Sequence, residues 1–177
     1  MTTQKSHTDP TTVYLGLGSN LGDRRRAMEE AIRRLAESGV VADVVASSLY
    51  ETEAVAPEPQ PAYLNAVVRG RTILSAGALL ARCLEIEREL GRVRPSRTPK
   101  APRTIDIDVL LFGDAVIQTP DLIVPHPRLL DRLFVLVPLA DVADPSLRHP
   151  LTGVTLATAA SAPSVRKVIG QKLHWAQ

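Results

Sequence analysis

Apolar and polar positions along the chain follow two periods, and the changes of period outline its elements. Residues 13–17 are a short apolar run leading into Gly16-Leu-Gly18-Ser-Asn-Leu-Gly22, which predicts a buried strand entering a turn served by the glycines. Asp23 can cap the next helix, where Met28, Ala31, Ile32 and Leu35 recur at helical spacing and Gly39 is a stop. Residues 40–50, rich in β-branched side chains, predict a second strand. Residues 51–61 hold three prolines and three acids and predict a loop, and residues 63–73 predict a third strand. The clearest helix runs from Ser75 to Leu90, with Leu79, Leu80, Cys83, Ile86 and Leu90 on one face and Gly91 after it. A basic, proline-bearing loop over 92–103 precedes a strong strand at 105–112, a Gly113-Asp114 turn and a short strand at 115–118. Beyond His126-Pro127 the pattern is helical through 135–142, with Pro138 marking a kink or a start, and the last twenty residues are weakly patterned.

The order β-α-β-β-α-β matches the split βαβ arrangement, an α+β sandwich with two helices on one face of an antiparallel sheet. The opposite face is left for polar motifs to converge on.

Composition narrows the class without deciding the activity. The chain has 177 residues, 45% hydrophobic and 23% charged, which suits a folded domain of ordinary size. The lone Cys83 cannot form an internal disulfide, which points to a reducing compartment. The polar stretch 1–12 has no apolar signal core, and the apolar run 133–140 is far short of the ~20 residues of a membrane span. A cytoplasmic protein without membrane partners is expected. Net charge is only +2 with a pI near 8.9, so bulk charge does not announce a nucleic-acid binder. The six aromatics, Tyr14, Tyr50, Tyr63, Phe112, Phe134 and Trp175, are too few for a base-stacking platform of several rings.

The most informative segment is Arg103-Thr-Ile-Asp106-Ile-Asp108-Val-Leu-Leu-Phe112. Strand alternation puts Asp106 and Asp108 on one face, about 6.6 Å apart at Cα, while Ile105, Ile107 and Val109 face the other way. Carboxylates so spaced can converge on a pair of divalent ions, and Mg²⁺ prefers carboxylate, water and phosphate oxygens. An exposed face of alternating charge is the commoner source of a single Asp-x-Asp, so the pair alone leaves both readings open. Arg88, Arg92, Arg94, Arg97, Lys100 and Arg103 add a cationic stretch with Glu89 as its one acid, and guanidinium forks match phosphate oxygens. A basic loop beside a diacid strand suits a metal–polyphosphate site. The glycine run misses the dinucleotide fingerprint, because Leu21 stands where its third glycine belongs, and no P-loop is present. Cys83 lies on the apolar helix face and reads as core.

Several segments in order resemble the 6-hydroxymethyl-7,8-dihydropterin pyrophosphokinase family. They are Gly16-Leu-Gly-Ser-Asn-Leu-Gly-Asp23, Ser48-Leu-Tyr-Glu-Thr52, Gln60-Pro-Ala-Tyr63-Leu-Asn65, Glu87-Arg-Glu-Leu-Gly-Arg92-Val-Arg94, Ala101-Pro-Arg103-Thr-Ile-Asp106-Ile-Asp108 and Val124-Pro-His126-Pro. The resemblance implies a ferredoxin-like sandwich over residues 12–160, with tails at 1–11 and 161–177. It implies transfer of pyrophosphate from MgATP to the pterin hydroxymethyl oxygen, releasing AMP, in folate biosynthesis.

By the same resemblance Asp106 and Asp108 hold two Mg²⁺ ions, and Arg92, Arg94 and Arg103 close over the triphosphate. Tyr63 and Phe134 flank the pterin ring, Thr52 and Asn65 read its polar edge, and Val55 lies beside it. Glu87, Ile107, His126 and Arg132 belong to the ATP side. Substrates are the only partners implied, with no nucleic acid, and the chain is expected to be a monomer. Lys100-Ala101 stands where many members carry Trp-Gly, and Glu53 where proline is familiar. The rival class is a non-catalytic ferredoxin-like RNA-binding module, which would show aromatics on adjacent central strands.

Overall fold

The structure is a computed structural model that describes residues 9–54, 59–92, 101–160 and the backbone of 172–173. Its sheet has strand order β5-β1-β4-β3-β8, with β2 also on β4, and every pairing is antiparallel. These strands are β1 (Thr11–Ser19), β2 (Ala42–Ala46), β3 (Leu49–Thr52), β4 (Tyr63–Thr72), β5 (Asp106–Phe112) and β8 (Lys172–Leu173). Helix α1 (Arg24–Glu37) follows β1 and α2 (Ala76–Glu89) precedes β5, so β4 is inserted between β1 and the β2/β3 pair. That is the split βαβ order expected from the chain.

The capping residues act as read from the sequence. Asp23 accepts from Arg26 N at 3.0 Å, and Ser75 from Ala78 N at 3.2 Å. The apolar stripes Met28, Ala31, Leu35 and Leu79, Cys83, Ile86 are buried against Val13, Leu15, Leu17, Leu64, Ala66, Val68, Ile105, Ile107 and Val109. Every sheet residue in that set is spaced by two along its strand, as one-sided burial requires.

Three elements differ from the sequence reading. Residues 40–50 form two strands rather than one, because the chain breaks at Ser47 and Ser48. Ser47 N donates to Val67 O at 2.9 Å, while Val67 N donates to the Ser47 hydroxyl, so a side chain replaces a rung of the ladder. The strand expected at 115–118 shortens to β6 (Ile117–Gln118), paired with an unforeseen β7 (Ile123–Val124). Gly16 and Gly18 lie inside β1 and not in a turn; the turn residue is Gly22, at φ 69°.

The second face of the sheet is partly covered. Helix α3 (Leu133–Val142) and the short α4 (Leu156–Ala160) pack on it through Val135, Leu136, Leu139, Val142 and Leu156. Their partners are Tyr14, Val67, Leu110 and Leu111. Adjacent Leu110 and Leu111 both reach this core because the β1–β5 register slips between Tyr14 and Leu15, which leaves Leu110 as an extra residue. Pro138 sits inside α3 without ending it. Cover stops at Leu110 and Val67, and the uncovered end of this face holds the site.

Candidate active site

The uncovered end is a trough whose shape is set by two glycines. Gly18 lies between Asp106 on β5 and Asn65 on β4, and Gly16 between Asp108 and Val67. A Cβ on Gly16 would meet Leu110 Cδ2 at 3.3 Å, and one on Gly18 would stand 3.7 Å from Asn65 Oδ1. With no side chain in the middle row, the acids of β5 and the polar groups of β4 look across a common floor. The cavity above it has a volume of about 420 Å³, within the usual range for a small-molecule site. Tyr63, Thr52, Asn65, Arg103, Asp106, Asp108, Arg132 and Phe134 all line it.

One end is polar and aromatic. Asn65 Nδ2 donates to Thr52 Oγ1 at 2.9 Å, and both residues are buried. Phe134 opens α3, and the Arg132 guanidinium carbon lies 5.7 Å from its ring centroid, within cation–π range.

The other end is ionic. Arg103 Nη1 donates to Asp106 Oδ2 at 2.6 Å, and Arg92 pairs with both Asp106 and Glu87. Glu87 is 1% exposed and also accepts from Ile107 N at 2.7 Å, so it ties α2 to the diacid strand. The Ile107 side chain itself lies in the first core. Arg132 Nη1 stands 3.5 Å from Asp108 Oδ2.

Burial, with the neighbouring Asp106 charge, pushes the Asp108 carboxyl up to about 6, against a smaller opposing pull from Arg132. Burial, with the Arg132 and Arg128 charges, brings the His126 imidazole down to about 4. His126 N donates to Leu110 O at 2.9 Å, which fastens this loop to β5. Arg128 N donates to His126 Nδ1 at 3.1 Å. That bond puts the proton of the neutral ring on Nε2, 4.0 Å from Asp108 Oδ2. A second cavity of about 250 Å³ begins at Asp108 and His126 and runs past Leu80, Val109, Leu122 and Ile123.

Two features of the ionic end suit charged ligands. Asp106 and Asp108 share one strand face, and Asp108 carries the raised affinity for positive charge just described. Buried Arg132 Nε has no hydrogen-bond partner among the described residues, a donor that a ligand acceptor can meet. Two carboxylates suit Mg²⁺, which completes its shell with water and substrate oxygens. Among the described residues no group of three or more His, Cys, Asp or Glu could hold a metal without such help.

Of the residues singled out in the sequence, Thr52, Tyr63, Asn65, Arg103, Asp106, Asp108, Arg132 and Phe134 are brought to one cavity. Arg92 and Glu87 stand behind Asp106, and His126 lies on the second cavity. Val55 and Arg94 lie outside the described residues. Asn20 escaped the sequence reading. It is 1% exposed, accepts from Arg103 N at 2.8 Å, and donates from Nδ2 to Gln60 Oε1 and Pro61 O at 3.2 and 3.3 Å. It thus joins the stems of the two loops that flank the cavity. A buried amide at the end of a strand leaves no periodic trace; its place between two loops is visible only in three dimensions.

The fold matches solved structures of Plasmodium falciparum HPPK-DHPS, for example a triple mutant with SDX-DHP. The TM-score is 0.65 at 17% identity, covering 88% of this chain and 42% of that one. Sequence relatives are closer. A 2-amino-4-hydroxy-6-hydroxymethyldihydropteridine pyrophosphokinase of Bacillus subtilis is 46% identical over 129 residues, 73% of this chain and 76% of the relative. One of Aquifex aeolicus is 42% identical over 140 residues, 79% and 84% of the two chains. The folic acid synthesis protein fol1 of Pneumocystis carinii is 41% identical over 150 residues; the match spans 85% of this chain and only 20% of that protein. Fold and relatives together define the class, a diphosphotransferase of folate synthesis. The chain belongs to the 7,8-dihydro-6-hydroxymethylpterin-pyrophosphokinase family, whose sequence model matches residues 14–144.

Proposed function

We propose that this chain alone binds MgATP and 6-hydroxymethyl-7,8-dihydropterin in the trough and transfers an intact pyrophosphoryl group between them. The observation that carries the reading is that Asp108 lines two cavities, one walled by paired polar and aromatic groups and the other mostly by apolar ones. The pterin lies between Tyr63 and Phe134 with its polar edge on Thr52 and Asn65, whose amide and hydroxyl match its donors and acceptors. The nucleoside enters the smaller cavity, and the triphosphate crosses from one to the other.

Asp106 and Asp108 hold two Mg²⁺ ions, which when bound neutralise charge on the phosphate oxygens. Arg132 uses its unpartnered Nε on phosphate, and neutral His126 donates from Nε2. Arg92 and Arg103, paired with Asp106 in this structure, would be available to the triphosphate, whose oxygens their guanidinium forks match. The hydroxymethyl oxygen bonds to the β-phosphorus as the bond from that phosphorus to the AMP oxygen breaks. Positioning and charge stabilisation account for the acceleration, and no residue stands out as a base.

The proposed reaction uses residues of this chain alone and calls for no second subunit. At the trough the central strands β1 and β4 show Gly16, Gly18 and Asn65 with Tyr63 as their one aromatic. The edge strand β5 shows Asp106 and Asp108, whereas an RNA-binding module shows aromatics on adjacent central strands. No helix among the described residues is long and apolar enough to cross a membrane.

The test is the nucleotide product. Incubation with MgATP and the pterin should give AMP that depends on the pterin. ADP would make the chain an ordinary kinase, and neither product from a folded sample with magnesium would refute the reading.

A further inference from the structure

Helix α3 reaches the cavity with its first turn, where Arg132 and Phe134 stand, and leaves it with its last turn, where Asp141 stands. Strand β3 runs the opposite way along the chain, from Tyr50 outside the cavity to Thr52 on its wall. Helix and strand are joined at their outer ends by one carboxylate. Asp141 Oδ2 accepts from Ser48 N at 3.1 Å and from the Tyr50 hydroxyl at 2.9 Å, across 93 and 91 residues of chain.

Apart from the Arg132–Asp108 pair at its first turn, the remaining described contacts of α3 with the sheet are apolar: Val135, Leu136, Leu139 and Val142 on Tyr14, Val67, Leu110 and Leu111. Apolar burial rewards area and not direction, so a helix held by it alone can slide or roll at little cost. Hydrogen bonds are directional, and two that converge on one charged oxygen fix both the height and the roll of the helix. The hydroxyl of Tyr50 is buried beside that charge, and the two effects together push its ionisation well above the usual range. It stays a donor through the neutral range.

We propose that Asp141 is a positioning residue that sets the width of the pterin slot. It does so by locking the register of α3, which carries Phe134, against β3, which carries Thr52. The inference rests on the pterin lying between these two elements. It predicts an unequal loss in kinetics. Of the phosphate groups named, only Arg132 stands at the start of α3; the others and the metal carboxylates sit on β5 and the loops beside it, away from the clamp.

The experiment compares Asp141→Ala, Asp141→Asn, Tyr50→Phe and Phe134→Ala in the full chain. It measures KM for the pterin from AMP formation and ATP affinity by direct binding, at a temperature where each variant is shown to be folded. Asp141→Ala, which removes both bonds, should raise the pterin KM about tenfold and lower ATP affinity by much less; tenfold corresponds to about 1.4 kcal/mol. Tyr50→Phe should give a smaller rise of the same kind. Asp141→Asn should stay near the parent, since an amide oxygen can accept both bonds. An unchanged pterin KM in Asp141→Ala, or an equal loss of ATP affinity, would overturn the proposal. Phe134→Ala separates the two levels: if it raises the pterin KM while Asp141→Ala does not, only the clamp fails. If neither does, the placement of the pterin fails with it.

Discussion

On one face of the sheet β1 presents Val13, Leu15 and Leu17 to α1 and α2; on the other it presents Tyr14 and then two glycines. The same contrast runs through β5, where Ile107 and Val109 fill the first core while Asp106 and Asp108 look out from the second face. The first face is closed, apolar and capped at both helix starts. The second is closed for half its length and then opens onto like charges and an unpartnered arginine nitrogen. One face holds the chain together; the other accepts local electrostatic cost that a ligand can relieve. The two faces should therefore respond in opposite ways to substitution.

Asp108→Asn should separate them furthest. Turnover should fall at least ~10²-fold, the loss seen when one group stabilising transition-state charge is removed. The metal-free fold should become more stable. The Asp108 carboxyl titrates at about 6 in the folded chain against 3.8 unfolded, through burial first and the Asp106 charge second. A carboxyl raised in this way contributes stability below pH 4 and loses it as pH rises through 6. The gain from the amide should therefore be near zero at pH 4 and full at pH 7.5. The side chain is 39% exposed, so screening reduces the gain to ~2–4 °C in Tm, roughly 1 kcal/mol for a chain of this size. Thermal unfolding at both pH values, with chelator present, checks the sign. A lower Tm at pH 7.5 would mean that Asp108 is a structural partner of Arg132 and not a group waiting for a cation.

Leu79→Ala should do the reverse. Leu79 is fully buried on α2 in the first core, and its truncation should cost about 2–5 kcal/mol in urea unfolding. Turnover and both KM values should hold at temperatures where the variant is folded. Leu139→Ala is the sharper companion, since it makes a similar hole under α3 on the second face. It should cost as much stability and also weaken the pterin, whose slot that helix walls.

The two faces were also unequally legible in the sequence. The first face showed itself through period: Leu79, Cys83 and Ile86 at helical spacing, alternation along β1, β4 and β5, and caps at Asp23 and Ser75. Asp106 and Asp108 were visible for the same reason, as a polar alternation inside an apolar strand. The second face hid its main device. Gly16 and Gly18 look like turn residues when glycine is read as a breaker, yet two glycines at spacing two in a strand share a face. Together they mark a floor that something else must approach. The break at Ser47 was illegible because it depends on a hydroxyl meeting Val67, and α3 over the sheet because its apolar residues run nearly all round the helix. Both are long-range facts with no local signature.

Asn20→Ala tests the seam between the loops. Removing a buried amide that serves Arg103 N, Gln60 and Pro61 should cost about 1–3 kcal/mol, since it leaves a backbone N–H without its acceptor. A side chain that merely filled space would lower Tm and leave kinetics alone. One that couples the loops should also lower turnover and raise the pterin KM together, because Arg103 and the Gln60–Pro61 stem lose their common anchor. Steady-state kinetics on the folded variant decides between them.

The smallest effect concerns the helix starts. Ser75 caps α2 through Ala78 N and Asp23 caps α1 through Arg26 N, whereas no side chain caps α3 at Arg132. Ser75→Ala should cost about 1 kcal/mol and change no kinetic constant, since α2 begins far along the chain from Glu87, the residue by which it meets the diacid strand. Arg132→Asn sets up the opposite exchange at α3. It supplies a favoured cap residue, and so up to ~1 kcal/mol of helix stability, and removes the one guanidinium that faces both Asp108 and Phe134. Stability equal to or above the parent, with ATP affinity reduced, would show that the site keeps a poor cap at this position because the ligand needs the arginine more than the helix needs the cap. A loss of stability with ATP affinity intact would show that Arg132 serves the fold, and the division between the two faces would not extend to this residue.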